Sequence, residues 1–169
     1  MKLAWIERMM VRELETLKKE VEATPDDETL WTSPPGVSNS IGNLSLHLCG
    51  NLQHFIGAVL GKTGYVRQRD AEFSTRNMPR AELVAGIERT QGVVTSVLTA
   101  GGIDLEAEYP ELVGGKFRVV TGEWLVHLEA HLAFHVGQAG YLRRILTGTN
   151  LPVPSVGIPA LSTSRKVSE

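Results

Sequence analysis

The five histidines of this 169-residue chain are the residues whose spacing most clearly suggests chemistry. Three of them, His127, His131 and His135, follow one another at intervals of four residues, and His47 and His54 are seven residues apart. These intervals are close to one and two helical turns, so each set lies along one face of a helix. Imidazole is the commonest metal ligand, and two imidazoles one turn apart can bind a single ion. The pattern predicts a metal ion held between two helices.

Distances along each helix limit which histidines can share one ion. His47 and His54 are about 10 Å apart along the helix axis, and His127 and His135 are about 12 Å apart, at a rise of about 1.5 Å per residue. An ion whose ligands lie at about 2 Å cannot comfortably take either pair. His131 is therefore the pivot of the predicted site, and either His127 or His135 can join it.

A polar strip accompanies His47 on a segment that is otherwise apolar on nearly all sides. The strip consists of Asn43, His47, Asn51 and His54. Polar groups on a buried helix must be hydrogen-bonded or ligated, so the strip is expected to line a polar cavity or face a site. Gln138, three residues after His135, is expected to support that ring or to hold a substrate. Gly50 is unfavourable inside a helix by about 1 kcal/mol relative to alanine, which indicates close packing against a neighbour.

Three imidazole ligands leave coordination positions open, as in catalytic rather than structural zinc sites. Such a site can activate water, or ionise an external thiol. Cys49, the single cysteine, is two residues from His47 and therefore points away from the metal face, so a nucleophile from the protein itself is not expected.

Three interpretations of these residues follow. The first is an enzyme that hydrolyses a small molecule or transfers it to a thiol. The second is a non-catalytic, metal-stabilised bundle that acts as a sensor, a store or an interaction module. In the third, no metal binds and the histidines fill a polar core.

Composition excludes several other classes of protein. The apolar fraction of 42% and the charged fraction of 21% are those of an ordinary globular domain. A net charge of −2 gives no support for nucleic-acid binding. No apolar run reaches the roughly 18 residues that a membrane span needs. Because the first residues also lack the apolar core of a signal peptide, a cytoplasmic location is expected, with no membrane partner.

The hydrophobic periodicity predicts four long helices in one domain, and hence an all-α four-helix bundle. The first helix is predicted over 2–23, and the second from Ser38 or Ser40 to near Gly61 or Gly64. The third is predicted over about 79–100. The fourth is predicted over about 122–146, with Thr121 as its cap and Gly148 at its end. Residues 24–39 and 67–73 are predicted to be loops, the latter strongly charged. The predicted domain covers residues 1–148. It includes a long connection before the last helix, with a β-prone run at 117–120.

The Pro-rich residues 149–169 are predicted to form a tail outside this domain. This tail is expected to be loose, or docked without regular structure.

Two stretches of the chain carry a resemblance to a known family. Residues 40–51, SIGNLSLHLCGN, are similar to a second-helix signature that ends in His-Leu, and residues 127–138, HLEAHLAFHVGQ, are similar to a fourth-helix signature of spaced histidines followed by Gly-Gln. On these stretches, and on the order of helices over roughly residues 1–148, the chain resembles the DinB/YfiT-like superfamily of metal-binding four-helix bundles. It departs from many relatives at Val136, where they have a basic residue.

The resemblance implies a divalent ion, nickel or zinc, bound by His47, His131 and His135. His54 and His127 then become pocket residues, together with Asn43, Asn51 and Gln138. The resemblance also implies a homodimer. Where activities of that family are known, several members are thiol-dependent transferases or isomerases that use low-molecular-weight thiols such as bacillithiol or mycothiol. A metal-dependent hydrolase or thiol S-transferase acting on a small molecule is therefore expected.

Overall fold

All regular secondary structure in the computed structural model, which describes residues 2–154, 157–158 and 161–166, is helical. The long helices are α1 (Leu3–Glu22), α3 (Ile41–Leu52), α5 (Arg80–Thr99) and α6 (Thr121–Thr147). α3 continues directly into wider π-type turns over Gln53–Leu60. Two short helices, α2 (Asp27–Trp31) and α4 (Arg69–Ser74), lie on either side of α3 in the sequence. This architecture confirms the predicted all-α fold.

The long helices pack because apolar residues recur every three or four positions along each of them. α1 lies against α5 and α6, and α3 lies against the same two helices, so the four enclose one core. The apolar residues that α1 and α6 bury in it are Ile6, Met10, Leu14, Leu17, Val21, Trp124, Leu125, Leu128, Leu132, Val136, Ala139 and Leu142. Burial of such side chains is the main favourable term in folding. The contact between α3 and α6 sets the distance between the two groups of histidines.

The ends of the long helices agree closely with the sequence, with one exception. Ser40 caps α3 by accepting a hydrogen bond from the backbone N–H of Asn43 at 3.1 Å, and Gly148 ends α6 in the left-handed conformation at φ 67°. Thr121 was expected to cap α6 but is its first residue, and Val120 occupies the cap position without a side-chain bond.

The prediction of a plain loop over residues 24–39 was wrong, because α2 lies within it. Asp26 caps this helix by accepting a hydrogen bond from the backbone N–H of Thr29 at 2.7 Å. Trp31 is buried against α3 at Gly42, where an added Cβ would lie 2.7 Å from the indole ring. The helix is only five residues long, too short for hydrophobic periodicity to reveal it.

The charged segment 67–73 also differs from its prediction as a loop, since α4 begins at Arg69. The side-chain amide of Asn43 donates to the backbone carbonyls of Glu72 at 2.9 Å and Thr75 at 3.2 Å. These bonds fasten α4 to α3 and bring the side chain of Glu72 into the interior, where it is only 5% exposed.

The long connection between α5 and α6 folds back on itself through isolated antiparallel bridges, Glu108 to Val120 and Val113 to Phe117. Gly114 and Gly115 turn it at φ 59° and 69°, which glycine adopts without strain. The connection is attached to the bundle by Tyr109, whose buried hydroxyl donates to the carbonyl of Phe55 at 2.5 Å.

The described part of the tail is docked along α1. Arg143 of α6 donates to the carbonyl of Leu151 at 3.0 Å, Lys19 donates to that of Pro154 at 3.3 Å, and Leu161 lines a surface cleft beside Trp5. The rest of the predicted tail lies outside the described residues. None of the helices in the described residues combines the length and the apolar character that a membrane span requires.

Candidate metal centre

Packing of α3 against α6 brings His47, His131 and His135 together. Nε2 of His47 lies 3.3 Å from Nε2 of His131. The ring of His135 has its centroid 4.6 Å from that of His131 and 5.4 Å from that of His47. One ring nitrogen of each residue can be chosen so that the three atoms lie within 4.8 Å of one another. Three imidazoles on two helices therefore share one small volume.

The donor set of this cluster fits a transition metal. Two nitrogens that each lie about 2.0–2.1 Å from a tetrahedral zinc ion are about 3.3 Å apart, which is the separation of the His47 and His131 Nε2 atoms. Imidazole is a good ligand for zinc, nickel and copper. The three histidines could therefore hold a metal ion.

His47 is oriented by a carboxylate on the side of its ring away from the cluster. Its Nδ1 lies 3.0 Å from Oε2 of Glu72. Because an ionised carboxylate only accepts, Nδ1 is assigned the proton and Nε2 presents its lone pair to His131. A carboxylate behind an imidazole is the usual arrangement around ligating histidines, where it fixes the ring and raises its basicity.

Arg67 holds Glu72 in turn. Its Nε donates to Oε1 of Glu72 at 2.7 Å, and its Nη2 donates to Oε2 at 2.8 Å. Nη2 also lies 3.4 Å from Nδ1 of His47, but both atoms carry hydrogen in this arrangement and no bond forms between them. Burial opposes ionisation of Glu72, but hydrogen bonds from Arg67 and His47 outweigh it and lower the pKa of the carboxyl group. The carboxylate therefore remains charged near neutral pH.

Gly50 makes the position of Glu72 possible. A Cβ added at Gly50 would lie 2.8 Å from Cδ of Glu72, and nearer still to Oε1. The predicted close packing at this glycine is thus explained by a side chain of α4. The sequence contained no direct sign of Glu72 or Arg67 as partners of His47, and Gly50 on a buried helix was the one feature that pointed towards a close neighbour there.

His135 is oriented from its own helix. Its Nδ1 lies 2.6 Å from Oε1 of Gln138, so Nδ1 is assigned the proton and Nε2 is left for another partner. Gln138 thus contacts the ring that precedes it by three residues on the same helix. Burial lowers the pKa of His135, which favours the neutral ring.

The His131 ring contacts both other rings, with its centroid 5.1 Å from that of His47 and 4.6 Å from that of His135. Burial, together with the charges of His135 and His47, lowers its pKa to about 4, so it is neutral near pH 7. Its Nδ1 is buried and has no hydrogen-bond partner in the described part of the chain. A neutral imidazole in this state retains the lone pair that a metal requires.

The other predicted pocket residues flank the cluster or serve different contacts. His54 pairs with Glu111 of the long connection at 3.1 Å. His127 is exposed and stacks on Trp124, and its ring centroid lies 6.4 Å from that of His131. Neither belongs to the group of three that could share an ion. Of the two asparagines, Asn43 binds α4, whereas Asn51 is buried and its Oδ1 has no partner among the described residues.

Comparison with known proteins is informative at the level of the family. The family model of the DinB superfamily matches residues 9–139, a stretch that includes all three clustered histidines and Glu72. Searches of curated proteins and of solved structures found no match.

Proposed function

The chain belongs to the DinB superfamily, and on that premise we propose that His47, His131 and His135 bind one divalent transition-metal ion, zinc or nickel. The observation that carries the proposal is the 3.3 Å separation of Nε2 atoms on two different helices. Glu72 and Gln138 support it, since each engages Nδ1 of one ring, His47 or His135, and leaves its Nε2 available.

We propose further that the site is catalytic and that its substrate is a small molecule. Three protein ligands leave coordination positions open. A bound divalent ion would supply Lewis acidity, which makes water or a low-molecular-weight thiol a nucleophile near neutral pH. The chain's own part is to fix the rings: Glu72 retains the proton on His47 Nδ1, and Gln138 retains that on His135 Nδ1. Gln138 and His127 are exposed, so a substrate can approach along α6.

The proposed reaction is hydrolysis, or transfer of a group to the thiol. Cys49 does not compete as a nucleophile, because it is buried and burial raises its pKa to about 11.

Elemental analysis of the untagged protein tests metal binding. We expect about one transition-metal ion per chain, lost on His47→Ala and on His131→Ala. His54→Ala is the matched control, because this ring lies on the same helical segment but pairs with Glu111, and it should keep the ion. Full metal content in His131→Ala would overturn the proposal.

Turnover by the metal-loaded protein tests the catalytic part. The screen would supply ester and amide substrates alone, and electrophilic substrates together with several low-molecular-weight thiols. We expect activity in the wild type and in His54→Ala, and none in His131→Ala. Metal binding without any turnover would favour a non-catalytic, metal-stabilised bundle.

We also propose that two copies associate through the outer face of α6. Large apolar side chains are exposed along this face, with Phe134 at 63%, Tyr141 at 68% and Ile145 at 64%. A contiguous exposed apolar surface of this kind is typical of protein interfaces. Analytical ultracentrifugation should find a dimer for the wild type and a monomer for Ile145→Glu.

A further inference from the structure

A cavity of about 630 Å³ lies between α3, α4 and α5, on the side of α3 away from the clustered histidines. Cys49 lines it, two residues from His47 and therefore about 200° round the helix. Its volume is within the range of about 300–1,000 Å³ that small-molecule sites occupy. Glu72 forms part of its wall and separates it from the metal centre.

The cavity exists because small residues line it. Gly86 and Ala85 of α5 and Gly50 of α3 are among its lining residues, with Ala71 contributed by α4. A Cβ added at Gly86 would meet one neighbour within 4 Å, Nη2 of Arg89 at 3.7 Å. The apolar part of the remaining wall includes Leu46, Met78 and Leu83, and polar side chains such as Gln53, Gln68 and Thr75 complete it.

Charge distinguishes the kind of ligand that this space suits. Glu72 is neutralised by Arg67. Glu82 lies in the first turn of α5, where the helix dipole offsets part of its negative charge. Arg89 lies in the middle of the same helix, and the described residues give it no salt bridge. Its exposed guanidinium lies over Gly86 at one end of the cavity, so the charge at that end is positive, while Glu82 lies about two helical turns away.

We propose that this cavity binds a small amphipathic carboxylate, a medium-chain fatty acid, with its head group at Arg89 and its chain among the apolar residues. Arg binds carboxylates through two parallel N–H bonds, which makes it the natural partner for such a head group. From Arg89 to Ala81, at the other end of the lining, α5 rises about 12 Å, a length that an extended decanoate chain can cover. The site is separate from the metal centre and does not depend on the proposed function.

Calorimetric titration of the purified protein with decanoate, below its micelle concentration, tests the proposal. We expect saturable binding, weakened at least tenfold by Arg89→Gln and abolished by Gly86→Leu, whose side chain would fill the cavity. Glu82→Gln is the matched control, since it alters a lining charge of opposite sign on the same helix. Its affinity for decanoate should be unchanged or higher.

Decyltrimethylammonium, with the same chain and the opposite charge, separates head-group recognition from simple partition into an apolar surface. It should bind at least tenfold more weakly than decanoate. Equal binding of the two probes, no binding of decanoate, or an Arg89→Gln variant of undiminished affinity would overturn the proposal. If Gly86→Leu fails to fold, Arg89→Gln and the comparison of decanoate with decyltrimethylammonium still test the proposal. Metal content is measured in the same samples, so that a loss of decanoate binding can be distinguished from a loss of the metal centre.

Discussion

Glu72 is the residue on which the orientation of His47 depends. It contacts Nδ1 of that ring at 3.0 Å, while Arg67 binds both of its carboxylate oxygens. An amide in its place would have nearly the same shape but no charge, and would hold the ring less strongly. Partners of ligating histidines typically contribute a factor of about 10–100 to metal affinity.

We therefore expect Glu72→Gln to weaken zinc affinity by about 10- to 100-fold, measured in competition with a chromophoric chelator. Glu111→Gln is the matched control, because it alters the same kind of carboxylate–imidazole contact at His54, outside the cluster. An unchanged affinity in Glu72→Gln would contradict the assignment of Glu72 as the group that positions His47.

Cys49 gives a prediction about alkaline pH. Burial raises the pKa of its thiol to about 11, from 9.0 when exposed. The folded state therefore holds this proton more tightly than the unfolded state. The contribution of the neutral Cys49 thiol to the free energy of unfolding is complete below the pKa that the thiol has in the unfolded state. It is lost as pH rises to the pKa that the thiol has in the folded state.

As pH rises from the unfolded to the folded pKa of the Cys49 thiol, its ionisation should lower the free energy of unfolding by about 2–3 kcal/mol. Urea unfolding of the wild type and of Cys49→Ala between pH 8 and pH 11 would measure the difference in slope, because other titrating groups are common to both proteins. Parallel pH profiles for the two proteins would show that the thiol is not held in its neutral form.

At the scale of the elements, the approach of α4 to α3 depends on the absence of a side chain at Gly50. Alanine would favour the helix by about 1 kcal/mol, but its Cβ would lie 2.8 Å from Cδ of Glu72. Glu72 would have to move, and with it the contacts to Arg67 and His47.

Gly50→Ala is therefore expected to reduce both thermal stability and metal affinity. Gly92→Ala is the matched control on α5, since an added Cβ there meets nothing within 4 Å, and it should raise the free energy of unfolding by up to about 1 kcal/mol. A stabilised Gly50→Ala protein with full metal affinity would mean that α4 is not packed as described.

At the scale of the whole molecule, α1 and α6 are joined by a buried ion pair between Glu20 and Arg143. Each side chain is only 5% exposed, and Gly140 leaves room for the carboxylate. Arg143 also binds the carbonyl of Leu151, so the same residue connects the bundle to the docked tail.

Arg143→Leu would leave Glu20 buried without its partner, at a cost of about 3–5 kcal/mol in the free energy of unfolding. The double variant Glu20→Gln, Arg143→Leu should recover a large part of this loss, because the uncompensated charge is removed. Equal stability of the single and double variants in urea unfolding would show that the pair does not act as a unit.

The sequence by itself determined the features that depend on local periodicity. Apolar residues at every third or fourth position predicted the long helices, Ser40 and Gly148 marked two of their ends, and the spacing of His131 and His135 put both rings on one face. Each of these depends on residues only a few positions apart, whose relation follows from the 3.6-residue turn of the α-helix.

Only the tertiary structure decided how His47 is oriented. The resemblance implied that His47 meets His131 and His135, but spacing alone left either His127 or His135 to join His131. The partner of His47, Glu72, is 25 residues away, on a helix of six residues that is too short to leave a periodic pattern. His131, which the Nε2 of His47 approaches, is 84 residues away. Such contacts depend on how separate helices pack, and no local rule fixes the distance between two faces that are remote in the chain.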